Sequence, residues 1–297
     1  MLNLAQPAQA AARQDSLLPL LQNLAALSAR AVALPAPVAE AATRLLAQRV
    51  PLDRGAPGAD ALRQAVNRAG VLGAAATPGG TSLNVKSALL QLRAGLLAML
   101  GDGEIAPVAP VARRAPPPMR DAQPRGLRAD LPTLPDTAAP RDTARTLLHQ
   151  TDSALSRLKL TQMASQPADA RPGAPPMLDL TVEIPMMMGQ ELALAQLQVQ
   201  RDGKSKGKAS ERGWRLRFAV NFSVVGEVGA QVSLLGASTS VVLWAAEEET
   251  AAVLEEMLPD LGTALAARGL EVGSVRLRRG VPKESAPPSG RLMDAVR

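Results

Sequence analysis

Between Val241 and Leu277 the chain reads VVLWAAEEETAAVLEEMLPDLGTALAARGLEVGSVRL, and the spacing of its apolar residues changes twice. The two ends are short and rich in β-branched residues, as strands are. The middle places Leu254, Met257, Leu258, Leu261 and Leu265 at steps of three and four, which is one stripe of a helix. Glu247, Glu248 and Glu249 crowd the start of that helix, where carboxylates favour the positive end of its dipole. Gly269 follows the last turn, where a left-handed residue ends a helix cheaply. Pro259 sits inside the periodic run. Its ring collides with the preceding turn, so a kink or break is expected near Leu258, with Pro259 opening a second segment.

Upstream, the chain alternates with period two. Leu178, Leu180, Val182 and Ile184 alternate with Asp179, Thr181 and Glu183, a half-buried strand that Pro185 is expected to end. A second strand covers about 191–201, and its apolar phase shifts between Leu194 and Leu197, which predicts a bulge or twist. The cleanest alternation is Trp214, Leu216, Phe218, Val220 and Phe222 against Arg215, Arg217, Ala219 and Asn221. Strand four runs through Val228, Val232 and Leu234, and strand five ends at Trp244. A sixth starts at Leu270, where Val272 and Val275 are out of phase across Gly273, so a glycine bulge is expected. The fold class predicted is therefore α+β. An antiparallel-rich sheet of about six strands carries one amphipathic helix on a face, with Leu254, Leu258, Leu261 and Leu265 buried against Trp214, Phe218 and Trp244.

The residues Leu258, Pro259, Leu261, Leu265, Gly269, Leu270, Val272 and Gly273, preceded by the glycine-punctuated VGEVGAQVSLLG, resemble the C-terminal domain of bacterial flagellar hook-length control proteins. The resemblance covers roughly residues 141–280. It implies a non-enzymatic protein that passes through the flagellar type III export apparatus and signals hook completion. It further implies a C-terminal domain that switches substrate specificity from hook to filament subunits. The implied partner is the cytoplasmic domain of the membrane-anchored export switch protein, with hook and hook-cap subunits as further partners. The implied localisation is cytoplasmic before export and flagellar or secreted after it. The partner-binding residues would be Leu258, Pro259, Leu261, Gly269, Leu270, Val272 and Gly273, although packing and turn formation also account for each of them.

Composition narrows the chemistry. The 297 residues contain no cysteine and a single histidine, His149, so disulfides, thiolate chemistry and multi-histidine metal sites are excluded. With no tyrosine either, the acid–base and nucleophile inventory is thin. No phosphate loop or dinucleotide fingerprint is present, and no catalytic site, cofactor or small-molecule substrate is expected. Glu247–Glu249 could be read as metal ligands, but nothing spaced to complete a site accompanies them, and a charge cluster at a helix start explains them. The net charge of +6 raises nucleic acid as an alternative partner, a basic adaptor centred on Arg201, Lys204, Lys206, Lys208, Arg212, Arg215 and Arg217. Trp214 and Phe218 interleave with those residues but face away from the arginines, so a solvated hairpin is the better account. No run is long and apolar enough to cross a membrane, and no cleaved signal peptide is expected.

The remainder is read in segments. Residues 1–13 are expected to be disordered and 14–101 to hold four short helices, packed as a bundle or left as a loose array. In 102–140, nine prolines within 39 residues forbid helix and central strand, which predicts a disordered linker. A helix over 141–166 follows, with His149 beside its apolar stripe, and then a short linker over 167–176. The C-terminal domain occupies 177–280 and a disordered tail 281–297. All four aromatic residues lie between 214 and 244, so the N-terminal half must pack on leucine, alanine and valine and is expected to be the less stable part.

Overall fold

A computed structural model describes residues 5–53, 55, 57–71, 84–101, 115–119, 122–165, 179–201, 213–236 and 238–282. Six helices precede the main sheet: α1 (Ala5–Arg13), α2 (Leu18–Ala29), α3 (Ala36–Leu46), α4 (Ala59–Arg68), α5 (Val85–Leu100) and α6 (Pro140–Ala164). Two-residue strands β1 (Val50–Pro51) and β2 (Leu127–Arg128) lie among them. Then come β3 (Asp179–Met188), β4 (Glu191–Arg201), β5 (Gly213–Phe222), β6 (Gly226–Leu235), β7 (Ser238–Ala245), α7 (Glu248–Ala267) and β8 (Glu271–Arg279). The class is α+β.

The helices are built from the leucine spacing and local stop signals. Asn84 caps α5 by accepting from the Ser87 amide, while the Ser87 hydroxyl accepts from the Asn84 amide. The start of α5 thus lies a few residues past the Thr81 or Ser82 that the sequence favours, and those two residues are outside the described part. Residues 5–13, expected to be disordered, form α1, which packs on α6. Alanine has the highest helix propensity, and a docking surface supplies what a short isolated helix lacks.

The helices pack rather than forming a loose array. Leu18, Leu20, Leu21, Leu24, Val38, Leu45, Leu89, Leu92, Leu96 and Leu147 join one cluster with Leu192 and Leu194 of β4. Each fully buried leucine of this kind contributes about 1.5–3 kcal/mol. The dominant core therefore lies between the N-terminal helices and one half of the sheet, and it contains no aromatic residue.

The sheet has eight strands in the order β1-β3-β4-β5-β6-β7-β8, with β2 paired to β4. Neighbours from β3 to β7 are antiparallel, while β1–β3 and β7–β8 are parallel. The strand count exceeds six because β1 and β2 are contributed by the N-terminal half. β2 takes a place vacated by β5: the β4–β5 ladder stops at Gln196↔Ala219, and Leu127 and Arg128 pair with Leu194 and Ala193 beyond it. Gly126 makes this insertion possible. A Cβ there would lie 2.3 Å from the carbonyl carbon of Val220 and 2.4 Å from the amide nitrogen of Asn221.

The described part of the Pro-rich stretch is extended, as its prolines require, but it is hydrogen-bonded along its length rather than free. The Asn23 side chain, fully buried, accepts from the amides of Thr133 and Leu134 and donates to Thr133 and Gln150. Ala115 and Pro116 are held through their carbonyls by Gln14 and Arg157. Polar groups of α2, α6 and the 14–15 turn thus give this strap partners that its own sequence cannot provide. Residues 102–114 and 167–176 lie outside the described part, as does the tail from 283.

Register assigns every strand residue to one of two faces. Leu192, Leu194, Glu183, Gln196, Arg217, Gly229, Trp244, Arg276 and Arg278 share the first, which carries the N-terminal helices. Leu197, Trp214, Phe218, Val241, Leu243, Val275, Leu277 and Arg279 share the second. Two strand expectations change accordingly. β3 runs on through Pro185 to Met188, which is tolerated because only the two-residue β1 flanks it outside. The β3–β4 register is continuous, so the phase change in β4 is no bulge; Leu192, Ala193, Leu194 and Ala195 are buried on both faces.

Arg157 of α6 joins the two halves. It is 2% exposed and donates to Glu183 of β3 (2.6–2.9 Å), to the Gln14 side-chain carbonyl (2.7 Å) and to the Pro116 carbonyl (2.8 Å). Removing the guanidinium would leave the Glu183 carboxylate without its countercharge. Arg157→Ala is expected to cost about 3–5 kcal/mol in urea unfolding, well beyond an exposed arginine truncation.

Candidate functional site

The resemblance points to the β7–α7–β8 unit. At the end of β7, Ala246 donates from its amide to the Glu227 carbonyl, which turns the chain off the sheet into Glu247 and α7. The Thr250 hydroxyl donates to the Val225 carbonyl and ties the first turn of α7 to the β5–β6 hairpin. Ala251 is the one α7 residue that is fully buried. The unit therefore hangs on the start of the helix.

Beyond that turn α7 is more open than the sequence predicts. Leu254, Leu258, Leu261 and Leu265 are half-buried, and Val253 and Met257 are 57% and 53% exposed. Trp244, expected beneath the helix, lies on the opposite face, 2% exposed and over Gly229, where a Cβ would meet its ring at 2.3 Å. Phe218 and Trp214 do share the helix's face, but Trp214 is 37% exposed and is covered by the Arg201 guanidinium at 5.1 Å. Alternation does not separate the faces of β7, because Val241 and Trp244 are both buried on opposite sides of it.

Pro259 does not break the helix: α7 is continuous from Glu248 to Ala267 with Pro259 inside it and exposed. The amide that proline lacks would have served the Glu255 carbonyl, on a part of the helix open to water. At the other end, Gly269 (φ +79°) donates its amide to the Ala266 carbonyl, and Leu270 donates to Leu265. These are the two hydrogen bonds of a Schellman ending, and they return the chain to β8. Gly273 is the extra residue of a bulge, since Thr239 pairs with Val272 and Ser240 with Ser274; a Cβ there would lie 2.9 Å from the Ser238 hydroxyl.

Four of the seven residues singled out therefore form one corner: Gly269, Leu270, Val272 (39% exposed) and Gly273. Leu261 lies two turns back, and Leu258 and Pro259 lie about 15 Å from the corner along the helix axis. Three arginines that the sequence did not single out, Arg276, Arg278 and Arg279, stand beside this unit on β8. Arg279 reaches from the sheet to Glu248 and, at 3.0 Å, to Glu255. That hydrogen bond and the two carboxylate charges hold its pKa above the usual guanidinium value. The acidic start of α7 thus has a partner in β8 as well as in the dipole.

Glu227, on β6 below Ala246, is a second feature the sequence gives no sign of. It is 8% exposed, and burial raises its carboxyl pKa, offset in part by Arg125 of the strap at 3.6 Å. A raised folded-state pKa means that the folded form holds the proton more tightly, so stability falls as pH rises from the ordinary carboxylate range through the raised value. Glu227→Gln should remove that fall, gaining melting temperature relative to the parent chain as pH goes from acid to neutral.

Of the basic cluster, Arg201, Arg215 and Arg217 are described, and Lys204, Lys206, Lys208 and Arg212 lie outside the described residues. Arg215 and Arg217 face away from Trp214 and Phe218, as the alternation predicts. Among the described residues no group of three or more acidic or histidine side chains could hold a metal ion, and no helix is long and apolar enough to cross a membrane.

The helix ending and the mid-helix proline make opposite thermodynamic predictions. Gly269→Ala, which forces a side chain into positive φ, should cost about 1 kcal/mol. Pro259→Ala, which restores a helical amide at an exposed position, should raise the melting temperature. Thermal unfolding followed by circular dichroism reads both.

No curated protein and no solved structure matches the chain significantly. A family model does, over residues 202–286, which span β5 through β8 with α7 and leave β3 and β4 outside. That model describes the flagellar hook-length control protein FliK, and residues 202–286 of this chain are similar to it.

Proposed function

We propose that this protein controls flagellar hook length as an exported, non-enzymatic signal. It passes through the type III export apparatus, reports hook completion, and engages the cytoplasmic domain of the export switch protein with its C-terminal region. The result is a change of export from hook to filament subunits. The family match over residues 202–286 is the observation that carries this reading. The absence of any cysteine and the lone histidine agree with a protein that works by binding.

The α7–β8 corner is the proposed contact. Pro259 supports it: an exposed proline within a helix costs about 3 kcal/mol relative to alanine, and no packing of its own ring offsets that. Positions that break a local rule without a structural return are where binding surfaces are found. The half-exposed leucines beside it and the bare corner at Gly269 and Leu270 extend the same surface. Residues 1–176, fully extended at about 3.4 Å each, would span on the order of 600 Å, enough for a measuring role.

Deletion of the gene, followed by electron microscopy of purified hook–basal bodies, is the primary check. Overlong hooks that lack filaments are expected, and hooks of normal, uniform length would refute the role. Folded Pro259→Ala and Gly269→Ala variants should each lengthen hooks; normal length in both would remove the corner as the contact while leaving the function intact.

A further inference from the structure

β8 closes the sheet on one side. Its inner edge pairs in parallel with β7, and among the described residues nothing pairs with its outer edge. The strand is nine residues long, above the commonest strand length, and past the bulge its Ser274–Arg279 stretch keeps unbroken register with Ser240–Ala245. A flat run of unpaired amides and carbonyls is a template for another strand. The strand holds no proline and its bulge is confined to the start; its protection is charge, from Arg276, Arg278 and Arg279, which disfavours a like-charged strand and favours an acidic one.

The two faces of that edge differ in chemistry. Arg276 and Arg278 stand exposed on one side, in register with Val242 and Trp244. The same row reaches back through Val242 and Gln231 to Arg217, so the face is basic and polar inward from the edge. Among the described residues, the ion pairs of β8 are those of Arg279, which lies on the other face. On that other face Val275 and Leu277 are half-buried beside α7.

We propose that the outer edge of β8 receives an extended segment of a partner protein, added as a further strand. Its residues alternate between acidic side chains over Arg276 and Arg278 and apolar ones beside Val275 and Leu277. Alternate residues of a strand lie about 6.8 Å apart, so successive acids of an added strand keep step with the two arginines. A second copy of β8 does not fit, because it would set arginine against arginine across the new pair. Single-stranded nucleic acid fits less well. Binding it rests on exposed aromatic platforms, and on this face Trp244 is 2% exposed while Trp214 and Phe218 lie on the other. The surface stands on the geometry of β8 and not on the flagellar reading, so the binding test below holds whatever the hook phenotype.

The test uses the full chain and two synthetic octapeptides, one alternating glutamate with valine or threonine, the other with lysine at every glutamate position. Titration is read by calorimetry and by amide hydrogen exchange. The acidic peptide should bind, weaken as salt is raised, and slow exchange of amides within 274–279; the lysine peptide should not bind. Arg276→Glu with Arg278→Glu, both exposed and checked for folding by circular dichroism, should weaken the acidic peptide by roughly tenfold or more. Four outcomes would each overturn the proposal. These are no binding of the acidic peptide, binding without amide protection, equal binding of the lysine peptide, and tighter binding of an oligothymidine of matched length.

Discussion

One buried guanidinium sets the relation between the two halves of this protein. Arg157 brings together α6, the turn after α1, the proline-rich strap and β3, and its most distant partner, Gln14, is 143 residues away in the chain. A buried charge is tolerated only where its partners are already in place, and here each is a different kind of acceptor: a carboxylate, a side-chain amide oxygen and a backbone carbonyl. An aliphatic side chain of similar volume would fill the space but would not demand that all three arrive in one geometry. The leucine cluster supplies most of the burial, and Arg157 fixes which arrangement of leucines is reached.

The sheet that results is unevenly dressed. Leu192 and Leu194 are sealed under the N-terminal helices, while the far half of the same face carries Arg217, Gln231, Arg276 and Arg278 around the buried Trp244. On the opposite face, α7 is pinned at its first turn and then stands over the sheet with its leucines half in water. The family match falls on this less protected end and omits the strands that carry the main core. The main core and the family match thus fall on different ends of one sheet, and the less buried end holds an exposed mid-helix proline and, among the described residues, an unpaired edge.

Period-two alternation in Trp214–Phe222 and Leu180–Ile184 made those strands legible, and leucine spacing did the same for α2, α5, α6 and α7. Gly269 and Gly273 were readable because each solves a local backbone problem, a positive φ and a bulge. What stayed hidden depends on partners distant in sequence. β1 and β2 have two residues each, too few to show a period, and exist because Met186 and Leu194 lie where they can pair. The strap reads as disordered because its fixed points, Asn23 and Arg157, are side chains of other segments. Alternation misassigns Trp244's face because its strand's apolar residues point both ways, with Val241 and Trp244 both buried. That nothing among the described residues pairs with the outer edge of β8 is a property of strand order, which no single strand's composition contains.

The pairing of Val50 with Met186 also has a consequence in time. The two residues are separated by 136 positions (186 minus 50). At about 5–20 residues per second, a ribosome needs roughly 7–27 s to make the second after the first. Within that interval α2 and α3 are already made and α5 is completed, but the strands that seal their leucines are not. Closure of the main core is therefore a late event of synthesis, and until then the nascent chain is a string of short helices that a chaperone or a narrow channel can hold extended at little cost.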